Sequence, residues 1–206
     1  MIPQVDMANH VHPSNTAKGL EGSDFVVLAA RDLPKGEQVF LSYGPLPNQA
    51  LLSQFGFVIP ASPDDFALVN CHTLVAHASD SSASAAVAAV ASAGLLMRES
   101  GGDVSDWQPA GPQLAAAVHE LAERGALPAS LIPEGTSSAS GAEAEGKAAY
   151  ASLLKVTLDA YSTTVGDDRA KLRAGKLAPR ARLALAWRAE QKAMLNRELA
   201  TITIKR

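Results

Sequence analysis

Cysteine is nearly missing from these 206 residues: Cys71 stands alone, so no internal disulfide can form and a reducing compartment suits the chain. No basic residues cluster around Cys71, which therefore reads as a buried thiol and not as a nucleophile. Aromatic residues make up only 5%, while alanine is abundant in the second half, so helices packed through small side chains are expected there. Excess positive charge is lacking as well. A formal net charge of -3 and a pI near 5.9 leave no electrostatic case for nucleic-acid binding. No apolar run approaches the ~20 residues that cross a bilayer; the stretch from Ser84 to Met97 comes nearest and is short and weakly apolar. Neither a basic leader nor a signal-peptide layout opens the chain. Met1 runs directly into Ile2-Pro3-Gln4-Val5-Asp6, which reads as the interior of a domain.

What is present fits a globular protein of one large or two small domains, 47% hydrophobic and 19% charged. Phe25 to Ala30 is a β-branched, apolar strand candidate. Asp32-Leu33-Pro34-Lys35-Gly36 follows as a turn, with Pro34 presetting φ. Gln38 to Tyr43 then alternates, Val39 and Leu41 on one face, Phe40 and Ser42 on the other. The two runs predict an antiparallel hairpin, joined to Asn9-His10 by a polar loop. Asn48 suits the N-cap of a short helix carrying Leu51, Leu52 and Phe55, which stops at Gly56.

Beyond residue 61 the pattern turns helical. Phe66 to His72 is one more short strand candidate, and Ser82 to Met97 an Ala-rich helix. Gln113 to Arg124 places Leu114, Val118 and Leu121 at helical spacing and ends on Gly125. Residues 129–146, with Pro133, Gly135, Gly141 and Gly146 among Ser and Thr, read as a flexible linker. Tyr150, Leu154, Leu158, Tyr161 and Val165 recur with a period near 3.6 and predict one long helix broken at Gly175. Pro179 can open a second, carrying Leu183, Trp187, Met194 and Leu199, so that a helical hairpin forms.

Two blocks near the start carry the strongest signal. Asn9-His10, followed by Gly36-Glu37-Gln38-Val39-Phe40-Leu41-Ser42-Tyr43-Gly44 and then Phe55-Gly56-Phe57, resembles the C-terminal half of a SET domain. The order and spacing are most similar to the Rubisco large-subunit methyltransferase branch. Independently, Tyr161-Ser162-Thr163-Thr164, Asp167-Asp168, Leu172, Arg180-Ala181-Arg182, Arg188 and Glu190-Gln191-Lys192 resemble that branch's helical substrate-binding domain. The resemblance implies an α+β chain: a partial SET β-fold over residues 1–61, then a larger all-α substrate-binding domain over 62–206. It also implies a protein-lysine N-methyltransferase that uses S-adenosylmethionine. Tyr43 would be the catalytic tyrosine, Asn9 and His10 would hold the cofactor, and Phe55 and Phe57 would line the lysine channel.

The chemistry suits those residue types. Methyl transfer from a sulfonium needs a neutral amine held in line with the S–CH3 bond. A tyrosine hydroxyl can orient that amine while its ring walls an apolar channel. Several relatives have Tyr where this chain has Phe55; losing that hydroxyl leaves room for di- or trimethylation. Asp6, His10 and His12 are weak metal candidates without a further Cys/His cluster, so no metal is expected. His72, His77 and His119 are scattered and read as structural or surface residues. No Gly-x-Ser-x-Gly context supports a hydrolase.

SET enzymes place a Gly-rich cofactor strand ahead of the Asn-His block, and none precedes it here. The chain is therefore expected to be a fragment of a longer methyltransferase with little activity alone. The alternatives are a non-catalytic protein-binding module derived from such an enzyme, or a histidine-methylating relative. A protein substrate is the expected partner, without nucleic acid or membrane. Relatives act in chloroplast, cytoplasm or nucleus.

Overall fold

The computed structural model describes residues 3–69, 111–125, 127–133 and 141–204. The fold is α+β, as expected, with small sheets near the start and helices after them. It comprises two compact units, Met1–Pro47 and Asn48–Arg206.

The first unit opens with a helical turn, α1 (Pro3–Asp6), and holds strands β1 (Asn9–His10), β2 (Thr16–Glu21), β3 (Asp24–Ala29) and β4 (Phe40–Leu41). The predicted pairing of 25–30 with 38–43 does not form. β3 instead pairs antiparallel with β2, in register Thr16↔Ala29 through Glu21↔Asp24, and β4 pairs parallel with β1. The loop between Asn9-His10 and Phe25 thus contains a strand that composition concealed, because Thr-Ala-Lys-Gly-Leu-Glu has little β-propensity. Its partner is fixed by a two-residue turn, Gly22-Ser23, whose first position has a φ of 62° that glycine adopts without strain. The alternation at 38–43 also gives way: Leu41 is buried while Val39 is 48% exposed.

The second unit starts with α2 (Asn48–Ala50), which widens into a π-helical turn over Leu51–Phe55 and stops at Gly56, φ 77°. Asn48 does not cap this turn. Its carboxamide is buried, donating to Ile59 O and Asp65 Oδ2 at 2.8 and 2.7 Å and accepting from Ile59 N at 2.7 Å. Of the strand candidate Phe66 to His72, residues 66–69 form no strand; its remainder with Cys71 and His72, together with His77 and the helix candidate Ser82 to Met97, lies outside the described residues.

Helix α3 (Gly111–Glu123) buries Leu114, Val118 and Leu121 as its spacing predicted. The predicted linker carries regular structure at both ends: Ala129–Leu131 forms a 3-10 turn with Leu131 buried, and α4 already begins at Ala142 (Ala142–Asp159). Glu143 and Glu145 in the first turn of α4 favour that start electrostatically. Residues 134–140 lie outside the described residues.

The single long helix predicted through Val165 is two helices. α4 ends at Asp159, and α5 (Val165–Ala174) starts afresh at Thr164, whose hydroxyl accepts from Asp167 N at 3.1 Å while Asp167 Oδ2 accepts from Thr164 N at 2.9 Å. Ser162-Thr163-Thr164 compete for backbone groups, and this reciprocal cap outweighs the apolar period. Helix α6 (Pro179–Ile204) begins at Pro179 as expected. The predicted two-helix hairpin is thus a three-helix arrangement, with α4 and α5 both packing on α6. The core joins Leu114, Val118 and Leu121 of α3 to Tyr150, Leu153 and Leu154 of α4 and Leu195 of α6.

Candidate functional site

The parallel bridge between β1 and β4 sets Asn9 beside Phe40 and His10 beside Leu41. Val11 N donates to Leu41 O at 3.1 Å and extends the bridge by one step. Two residues beyond Leu41 the chain delivers Tyr43 to His10: the rings stack with centroids 4.9 Å apart and planes at 30°. Tyr43 N donates to His10 Nδ1 at 3.0 Å, so that nitrogen must be the unprotonated one and the imidazole carries its proton on Nε2. The Tyr43 hydroxyl donates to Ala8 O at 2.6 Å. A phenol whose proton is committed to a carbonyl meets any third group only as an acceptor.

His10 is buried, Tyr43 half-buried and Asn9 exposed. Asn9, His10 and Tyr43 are thus brought together in the first unit. The residues that hold them were not singled out beforehand. Asn15 and Thr16, both buried, bond to the backbone of Gln38 and Phe40. Lys18 Nζ donates to Ser42 O at 2.8 Å, and Ser42 Oγ lies 2.8 Å from His12 Nδ1. Only their polarity within a loop hinted at this, since side-chain bonding to a strand leaves no periodicity. His12 is engaged by a hydroxyl, and no group of three His, Cys, Asp or Glu converges among the described residues.

Phe55 and Phe57 belong to the second unit. Their ring centroids lie 6.3 Å apart at 44° across Gly56, and Phe55 is 45% exposed.

The second unit gathers Tyr161, Thr163, Asp168, Arg188 and Lys192 of the other resembling residues into one ionic network. Asp168 is fully buried; Arg188 grips it with two bonds, Nε to Oδ2 at 3.0 Å and a terminal nitrogen to Oδ1 at 2.7 Å. Lys192 Nζ donates to Oδ2 at 2.7 Å and Thr163 Oγ1 to Oδ1 at 2.7 Å. Burial pushes the Asp168 carboxyl upward, but the bonds from Arg188, Lys192 and Thr163 overcome it and hold the group well below the usual carboxylate range. Lys192 also donates to Thr163 O at 2.6 Å and sits 4.9 Å above the Tyr161 ring. Burial raises the Tyr161 phenol, partly opposed by Arg188. Next along α6, the buried Gln191 amide donates to Phe66 O at 2.6 Å and accepts from Leu68 N at 3.0 Å, while Glu190 accepts from Ala61 N at 2.9 Å. These residues build the scaffold and pin the 61–68 segment to it.

Comparison with known proteins agrees with the resemblance and locates its helical part. Residues 118–195 match the Rubisco LSMT substrate-binding family. SET domain-containing protein 4 of Artemia parthenogenetica is 31% identical over 68 residues, 32% of this chain and 17% of that protein. N-lysine methyltransferase SETD6 of Homo sapiens is 30% identical over 76 residues, covering 36% and 16% respectively. The setd6 enzyme of Danio rerio is 35% identical over 60 residues, 29% of this chain and 13% of the relative. The matched stretches thus span under a fifth of each relative's length. Over part of its length the chain is similar to the Rubisco LSMT substrate-binding family and to SET domain-containing and N-lysine methyltransferase proteins. The family match falls within its helical part.

Proposed function

We propose that this chain supplies the catalytic tyrosine and part of the cofactor site of a protein-lysine N-methyltransferase. The observation that carries this reading is the stack of Tyr43 on His10, with the Tyr43 hydroxyl anchored at Ala8 O beside the exposed Asn9 carboxamide. S-adenosylmethionine, when bound, supplies an electrophilic methyl group on a sulfonium. Asn9 offers a carboxamide to its polar ends, and the His10 region its backbone. Tyr43 acts through geometry. Its anchored oxygen accepts a hydrogen bond from the incoming amine and orients the nitrogen lone pair, while its ring excludes water from the amine. On the resemblance, Phe55 and Phe57 are assigned to binding the lysine stem. Residues 1–61 belong to the catalytic part and 62–206 to the part that holds the protein substrate.

The self-contained helical core, with its buried Asp168 network, favours a second reading: a protein-binding module without methyl transfer. Isothermal titration with S-adenosylmethionine separates the two. Micromolar binding, lost in Asn9→Ala, supports a complete cofactor site; no detectable heat supports the module or a fragment that holds only part of that site. Mass analysis of a methylated acceptor then distinguishes lysine from histidine, and a product that is only monomethyl-lysine contradicts the roomy channel inferred from Phe55.

A further inference from the structure

The segment that carries Tyr43 has almost no sheet to hold it. β4 is two residues long and, among the described residues, pairs backbone to backbone with β1 alone. Yet residues 38–43 are bonded on alternate sides at almost every position. Toward β1 point Leu41 O, accepting from Val11 N, and Tyr43 N, donating to His10 Nδ1. To the opposite side point Gln38 O, Phe40 N, Phe40 O and Ser42 O. Side chains meet all four: Asn15 Nδ2 at 2.9 Å, Asn15 Oδ1 at 2.9 Å, Thr16 Oγ1 at 2.5 Å and Lys18 Nζ at 2.8 Å.

Asn15 does the part of this work that fixes register. A primary amide presents one donor and one acceptor much as a peptide group does. By taking Gln38 O and Phe40 N together, the Asn15 carboxamide flanks Val39 as one residue of a parallel strand would. Its second amide hydrogen faces Glu37 Oε1 at 3.2 Å, and its own backbone carbonyl accepts from Ala30 N at 3.0 Å. The side chain is more than nine-tenths buried. Because backbone groups alternate sides, a slip of one residue would turn Tyr43 N away from His10.

We propose that Asn15 is a positioning residue for Tyr43: its carboxamide stands in for a neighbouring strand and sets the register that stacks the Tyr43 ring on His10. The importance of that stack rests on the methyltransferase reading; the register role itself does not.

The test reads the tyrosine directly. The chain has three tyrosines, Tyr43, Tyr150 and Tyr161, so 13C-labelled tyrosine gives few ring signals, and loss of one in Tyr43→Phe assigns it. Amide signals of the β2–β3 hairpin report whether the first unit stays folded. Asn15→Ala is expected to move the Tyr43 ring signal toward that of a free tyrosine while the hairpin, Tyr150 and Tyr161 signals stay in place. Asn15→Asp keeps the acceptor for Phe40 N but sets a carboxylate against Glu37, and the same displacement is expected at neutral pH. Adding Glu37→Gln to Asn15→Asp removes the charge repulsion but gives Gln38 O no donor, so Tyr43 should stay displaced while the hairpin signals hold. Glu37→Gln alone should leave it unmoved. An unshifted Tyr43 in Asn15→Ala overturns the proposal. So does loss of the hairpin signals together with Tyr43 in both Asn15 single variants and in the double variant. These signals are read without a methyl donor, so a chain that binds no S-adenosylmethionine can still pass. A chain that binds the donor but fails here loses only the role given to Asn15.

Discussion

At the scale of single residues, two side chains with opposite surroundings carry the sharpest expectations. Tyr43→Phe removes the bond to Ala8 O. The stability cost should be only about 1 kcal/mol. Methyl transfer, measured on the enzyme reading with a lysine acceptor, should fall by roughly 10²-fold or more, because an oriented oxygen acts mainly on the transition state. Asp168 is the reverse case, structural and costly to alter. Asp168→Asn leaves the buried Lys192 and the half-buried Arg188 without their counter-charge, and should destabilise by roughly 3–5 kcal/mol in urea unfolding. Its pH signature has a definite sign. The folded-state pKa of Asp168 lies below its unfolded value near 4, so the network's contribution is complete above that value and is lost as pH falls through the folded one. The urea midpoint of the native chain should therefore drop on acidification below about pH 4, more steeply than that of Asp168→Asn.

At the scale of elements, helix contacts decide which glycines tolerate a side chain. Gly146 of α4 meets α3 closely enough that an added Cβ would lie 3.2 Å from His119 Cα and 3.6 Å from Ala122 Cβ. Gly146→Val should prise α4 from α3 at a cost of roughly 1–3 kcal/mol, seen as a lower thermal midpoint. Gly146→Ala should cost less, because its helix propensity gains about 1 kcal/mol against the same crowding. The elements legible in the sequence were those whose signal is local. The apolar period of Leu114, Val118 and Leu121 marked α3, Pro179 marked the start of α6, and Gly56 the end of the π-helical turn. The misread elements were set by interactions a periodicity cannot carry. β2 is a strand because Gly22-Ser23 folds it onto β3, and α4 stops at Asp159 because the Thr164 cap wins over the hydrophobic stripe. In the candidate site, Asn9, His10 and Tyr43 were visible as a motif. Asn15, Thr16 and Lys18 were not, since their bonds to the strand span 22–25 residues of chain.

At the scale of the whole molecule, low net charge meets exposed apolar surface. Leu20 is 74% exposed and Leu28 55%, and the run from Phe25 to Ala30 bears no charge that would blunt the edge of β3. Static light scattering should therefore rise toward pH 5.9, where charge repulsion vanishes. Val27→Lys should lower that scattering severalfold without altering the helical unit. The enclosure of Lys192 has a different bearing. Its ε-amine is held by Asp168 and Thr163 beneath the Tyr161 ring, whereas Lys18, Lys155 and Lys176 are exposed. An acylating reagent applied to the native chain will mark those three promptly and reach Lys192 only when the helices part. The labelling rate of that one amine becomes a clock for breathing motions of the bundle, and any methyl mark found on it was added before folding or during such an opening.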